Sequence, residues 1–169
     1  MNSDSKRPLL LDTGPLMRWL CSRYLDSQDA SEHRRNDLLM SLHHQWDAEL
    51  QRQMDTFLET RTPWLTTSHV ILESLHIRKQ AKLKAYEPAY RTEALKYLSA
   101  AKEVPVKLAE LNQAEQSNIA KYGLTDVALI HAGRTYGATI VTDDKRLFRA
   151  LEGGDPNFEI QLAINCVGY

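Results

Sequence analysis

Short apolar runs that stop at an acid or a turn residue, each followed by a longer segment of helical spacing, constrain the fold of this chain more than any other feature. PLLLDT (8–13) is such a run and reads as a buried strand entering a loop. In PLMRWLCSRYL (15–25), Leu16, Trp19, Leu20 and Tyr24 share a helical face, and Pro15 stands where a first turn tolerates it. Residues 37–60 predict a long amphipathic helix, with Leu38, Leu39, Leu42, Trp46, Leu50, Met54, Phe57 and Leu58 at three- and four-residue steps and Pro63 beyond its end. WLTTS (64–68) reads as a second strand, VILESLHIRKQAKLKAY (70–86) as a helix that turns basic, 89–102 as another helical segment, and VPVKLAEL (104–111) as a third strand. AEQSNIAKYG (114–123) reads as a helix closed by Gly123, LTDVALIHAGRTYG (124–137) as a helix ending at Gly, ATIVT (138–142) as a β-branched strand, and FEIQLAI (158–164) as a last strand. Strands alternating with longer helices predict an α/β fold with a parallel sheet covered on both faces.

The 169 residues suit one domain, here expected to span 1–169. The 2 cysteines, Cys21 and Cys166, lie far apart, and no charged start, apolar core and small-residue cleavage site precede the first apolar run, so a reducing, cytoplasmic setting is expected. No stretch approaches the roughly 18 to 20 apolar residues that cross a bilayer, so no membrane partner is expected. A net charge of −1 leaves only local basic patches as signs of nucleic acid.

Four acids stand at strand exits or near helix starts: Asp12 in LLLDTGP, Glu73 in TTSHVILESL, Asp126 in GLTDVALI and Asp144 in IVTDDKRL. Carboxylates gathered in one pocket repel, so a cluster of them predicts a divalent cation, and all-oxygen ligands favour Mg²⁺ or Mn²⁺. Taken singly, an Asp at a strand exit has an ordinary role as a helix cap, and Asp126 after Thr125 is the most exposed to that account. Glu73 differs, because it lies among Val70, Ile71, Leu72, Leu75 and Ile77 and needs a partner, an ion or solvent there.

Taken together, these motifs resemble those of PIN-domain ribonucleases, similar to the VapC-like toxin halves of bacterial toxin–antitoxin pairs. The resemblance rests on an apolar strand into D-T (LLLDTGPL), a Glu in the helix after the second strand (HVILESL), an L-x-D helix with small residues (LTDVALIHAGRTYG) and a strand into T-x-D (IVTDDKRL). It is weak at about 26–62, read as a family-divergent helical insertion, and at 84–103. It implies a PIN-like three-layer α/β/α fold with a central parallel sheet of about five strands. It assigns catalysis and metal binding to Asp12, Glu73, Asp126 and Asp144, with Asp143 as an alternative or added ligand and Thr13 and Thr142 in support. The implied activity is hydrolysis of RNA by a water activated on one or two Mg²⁺ ions, about 4 Å apart if paired. Asp126 or Glu73 is then the candidate acceptor of the water's proton. The implied partners are an antitoxin and a second copy of the chain, for which the stripe at 37–60, including Trp46 and Leu50, offers a surface.

Arg78, Lys79, Lys82 and Lys84 form a basic helix end, and Lys145, Arg146 and Arg149 adjoin the fourth acid, so both groups are candidate RNA contacts. The first also suits a helix C-terminus on dipole grounds alone. His69 and Glu73 share a helix face and could ligate zinc, but no second His stands at a matching step. The competing functions are a non-cleaving module of the same fold that binds RNA or protein, and a solitary RNA-processing nuclease. A phosphatase or phosphoacceptor domain would want D-x-D or a distant Lys, whereas Asp12 is followed by Thr13 and Gly14.

Overall fold

Leu9, Leu10 and Leu11 have no polar side chain to turn toward water, so a strand built from them is stable only with both faces covered. A computed structural model describes residues 7–28, 48–60, 64–76, 87–107, 109–111, 121–154 and 156–163. In it these leucines form β1 (Leu9–Leu11), buried at the centre of a five-stranded sheet of order β3-β2-β1-β4-β5. The other strands are β2 (Leu65–Thr66), β3 (Lys102–Glu103), β4 (Thr139–Thr142) and β5 (Glu159–Leu162), and every pairing is parallel. Helices flank the sheet: α1 (Thr13–Ser27), α2 (Ala48–Thr60), α3 (Ser68–Leu75), α4 (Glu87–Leu98), α5 (Leu124–Tyr136) and α6 (Lys145–Leu151). The α/β architecture with its parallel five-stranded sheet is the one expected from the alternation of elements.

Register places the site. Leu11 pairs with Val141, and the Asp12 N–H continues the ladder to the Val141 carbonyl at 2.9 Å, so the exits of β1 and β4 lie side by side. From β1 the chain steps outward through β2 to β3, then returns to β4 on the other side, so strand order reverses between β1 and β4. Right-handed crossovers put α1 to α4 on one face and α5 and α6 on the other. The packing agrees, with α1 against α2, α3 and α4, α5 and α6 on β4, and α6 also on β5.

The first face carries an aromatic core in which Trp19 meets Trp64 and Tyr97 edge-on, with ring centroids 5.8 and 5.6 Å apart. Met54 and Leu58 of α2 are buried in the same core, and Trp19 Nε1 donates to Asp55 Oδ1 at 2.7 Å. Of the two places open to the stripe, core and oligomer surface, Met54 and Leu58 take the core. Trp46 and the Leu50 side chain lie outside the described residues, as do 29–47 of the expected insertion.

Two expected elements differ. The third strand is not 104–111 but Lys102–Glu103, with only the Val104 N–H extending its ladder, to the Thr66 carbonyl at 2.8 Å, and residues 109–111 are helical. It is an edge strand whose charged, exposed residues give no apolar run to read, and charge is what keeps such an edge from pairing elsewhere. The helix expected over 70–86 leaves helical backbone at His76, with φ −98° and ψ 70°. There α4 takes over its free carbonyls, Tyr90 Oη donating to Ser74 O at 2.8 Å and Arg91 Nε to Leu75 O at 3.2 Å. Among the described residues no helix is long and apolar enough to cross a membrane.

Candidate functional site

Asp12 is the first residue past β1 and the N-cap of α1, and both duties fix its carboxylate. Oδ1 accepts the Thr13 N–H at 2.6 Å, and Oδ2 accepts the Thr142 hydroxyl at 2.5 Å. Thr142 closes β4, and its oxygen in turn accepts the Asp144 N–H at 3.0 Å. Asp144 caps α6, with Oδ1 taking the N–H groups of Arg146 at 2.7 Å and Leu147 at 3.2 Å. On the other side Thr13 Oγ1 donates to Glu73 Oε2 at 3.1 Å, tying α3 to α1. One hydrogen-bonded line thus runs from Glu73 through Thr13, Asp12 and Thr142 to Asp144, across the carboxyl ends of β1 and β4. Each of the two threonines donates its hydroxyl to a carboxylate.

Asp126 joins this line through its field. Its carboxyl is pushed up to about 6 by burial first, then by the negative charges of Asp12, Asp144 and Glu73, with Arg146 opposing. Asp126 is not the N-cap of α5: Gly123, at φ 93°, takes that position, no side chain caps that end, and Asp126 stands in the first turn, where its charge suits the helix dipole. Gly123 therefore precedes α5 as its cap as well as following the segment it was expected to close. The capping account holds instead for Asp12 and Asp144, which cap helices and still face their fellow acids. Burial also holds the Asp12 carboxyl above the usual range against the bonds from Thr142 and Thr13, with Glu73 and Asp144 adding to the rise. Burial acts upward on Asp144 too, but the N–H groups of Leu147 and Arg146 and the Arg146 guanidinium outweigh it and bring that carboxyl down.

Asp143 belongs to a different pairing. Its carboxylate forms an ion pair with Arg18, a residue of α1 that is only 6% exposed. Sequence reasoning passed over Arg18, although the rule applied to Glu73 would have found it: a charge between Met17 and Trp19 on a buried helix needs a partner. It also passed over Gly14, where a Cβ would stand 2.9 Å from Asp143 Oδ2.

The donor set fits a hard divalent cation in kind. It consists of carboxylate oxygens, two of them steadied by hydroxyls, with Asp126 raised by burial and by the neighbouring acids. Among the described residues no three His, Cys, Asp or Glu side chains form a group that could hold a metal ion by themselves. Magnesium does not depend on protein ligands alone, since it keeps several waters and shares phosphate oxygens with its substrate. Lys145 and Arg146 are exposed beside Asp144, the Arg146 side chain at 94%. Arg78, Lys79 and Lys82 lie outside the described residues. His69 Nδ1 is buried without a hydrogen-bond partner, and no zinc set forms around it among those residues. No protein-family model matches this chain, and no curated protein matches it either.

Proposed function

We propose that the protein is a Mg²⁺- or Mn²⁺-dependent endoribonuclease of the PIN type. The observation that carries this reading is the line Glu73–Thr13–Asp12–Thr142–Asp144 at the strand-order reversal, with Asp126 raised to about 6 by burial and by the charges of Asp12, Asp144 and Glu73. Asp12, Glu73, Asp126 and Asp144 would hold the ion, which supplies an activated water and neutralises charge on the phosphoryl group. Thr13 and Thr142 fix the direction of two carboxylates, which spares the site that reorganisation during the reaction. Lys145 and Arg146 offer cations to the flanking phosphates, a contact that anchors the backbone without reading its bases. The preference for RNA rests on the sequence resemblance, as does the biological role that goes with it, a toxin held by an antitoxin and assembled as a homodimer.

The test is incubation of purified protein with total RNA and with a defined single-stranded RNA, with Mn²⁺ and with EDTA. Cleavage that EDTA abolishes, and that Asp12→Asn removes, is the expected result. RNA bound but left whole in Mn²⁺ would favour the non-cleaving module instead. Growth arrest on expression, relieved by a small DNA-binding protein encoded beside the gene, tests the toxin role; arrest that no such neighbour relieves favours a solitary nuclease.

A further inference from the structure

Arg18 sits on a helix whose neighbouring side chains, from Leu16 to Cys21, are largely buried and apolar. A guanidinium in such surroundings is expensive to keep charged without a partner, and burial alone pushes its pKa down to about 9. Its partner, Asp143, stands at the middle of the turn that carries the site. On one side of it the Thr142 hydroxyl donates to Asp12, and on the other the Asp144 N–H donates back to that hydroxyl. Gly14 is the third component. With no Cβ there, the Asp143 carboxylate lies over the first turn of α1 and reaches Arg18 one turn further on, where a methyl at 14 would approach its Oδ2 to 2.9 Å.

Resting on the metal-dependent nuclease reading, we propose that Arg18 is a positioning residue, whose ion pair with Asp143 over Gly14 holds the β4–α6 turn so that Asp144 serves the metal while Asp143 stays out of the ligand set. Arg18 neutralises one of two adjacent acids, which leaves the other to act alone. It also anchors the turn to α1, the helix that Asp12 caps, so the exits of β1 and β4 are locked by a second contact besides Thr142–Asp12. Groups that orient metal ligands in this way alter affinity without touching the ion.

Two readouts on the full chain test this. In EDTA, the backbone amide resonances of Arg146 and Leu147 report the Asp144 carboxylate to which they donate; Mn²⁺ binding by calorimetry reports the assembled site. Arg18→Met should shift both resonances without metal and weaken Mn²⁺ about tenfold. Arg18→Lys, which keeps the charge, should fall between Arg18→Met and wild type. Gly14→Ala should act in the same direction as Arg18→Met, by pushing Asp143 off α1 with no change of charge. A folded Arg18→Met protein with wild-type resonances and wild-type Mn²⁺ affinity would overturn the proposal and leave the pair a purely structural contact. If Arg18→Met does not fold, Gly14→Ala decides by the same two measurements. Wild-type protein that takes up no Mn²⁺ overturns the nuclease reading and this one together, whereas uptake insensitive to both variants overturns this one alone.

Discussion

Burial first, and then the charges of Asp12, Asp144 and Glu73, raise the Asp126 carboxyl, and the sign of that shift makes a test. Ionising it in the folded protein is harder than in the unfolded chain, because its pKa moves from 3.8 to about 6. The stability linked to its protonated form is therefore fully present below 3.8 and is lost as the pH rises through about 6. In EDTA, Asp126→Asn should melt above wild type at about pH 7.5 and together with it near about pH 4, as read by calorimetric melting. Mg²⁺ or Mn²⁺ should reverse the penalty, adding about 2.7 kcal/mol at a hundredfold excess over Kd, and more above pH 6 than below it. Equal melting of the two proteins at every pH would mean that Asp126 feels no crowding. The neighbouring acids separate by partner. Asp144→Asn should abolish cleavage, since Asp144 is the acid whose charge acts on Asp12 and Asp126. Asp143→Asn should keep substantial cleavage, with Mn²⁺ bound more weakly as in Arg18→Met, and cost about 2–4 kcal/mol in urea unfolding, because it breaks the ion pair with the buried Arg18. Reversed activities would exchange the two roles. The sequence singled out both acids but held no sign of which one a distant arginine would claim.

At the scale of elements, legibility followed local chemistry. The C-terminus of α5 was readable because Gly137 takes the left-handed conformation, at φ 59°, that glycine tolerates best. β1 and β4 were readable as unbroken apolar or β-branched runs ending in polar turns. The end of α3 was not, since what stops it is the tertiary capture of its carbonyls by Tyr90 and Arg91, and the residues after it keep a helical pattern. The same element-on-element logic explains Gly133, which a helix interior would ordinarily replace with Ala at a gain of about 1 kcal/mol. A Cβ there would meet Ile140 Cδ1 of β4 at 2.8 Å and Cγ1 at 3.1 Å. Overpacking of about 1–3 kcal/mol should outweigh the propensity gain, so Gly133→Ala should lower the urea midpoint. It should also loosen α5 on the sheet and with it Asp126. A Gly133→Ala protein as stable as wild type would show that α5 can lift from β4 freely.

For the whole molecule, the sheet order turns separate strand exits into one site: Asp12 and Asp144 meet because β4 returns beside β1, and Glu73 and Asp126 arrive from opposite faces of the sheet. Motif spacing pointed to the four acids, but the hydrogen-bonded line from Glu73 through Asp12 to the Asp144 backbone depends on register, which no local pattern carries. The segment 26–62 carries the opposite lesson. Expected as a family-divergent helical insertion, it contributes a described helix, α2, that is part of the main core through Met54 and Leu58. Asp55 holds both Trp19 Nε1 and the Arg23 guanidinium. A helix of 13 residues is marginal alone, so α2 owes its stability to this docking and the core owes part of its closure to α2. Met54→Ala should therefore cost about 2–5 kcal/mol, as a cavity in a close-packed interior does. Asp55→Ala should cost about 1–3 kcal/mol by stranding the Trp19 N–H and leaving Arg23 only Asp26 and the Tyr97 ring. Replacing residues 29–60 with a short Gly-Ser linker should remove both effects at once and yield a chain without a cooperative urea transition or near-ultraviolet circular dichroism from its tryptophans. A deleted chain that unfolds cooperatively and still gains stability from Mn²⁺ would show that the segment is an appendage after all, and that the remaining elements suffice to assemble the site.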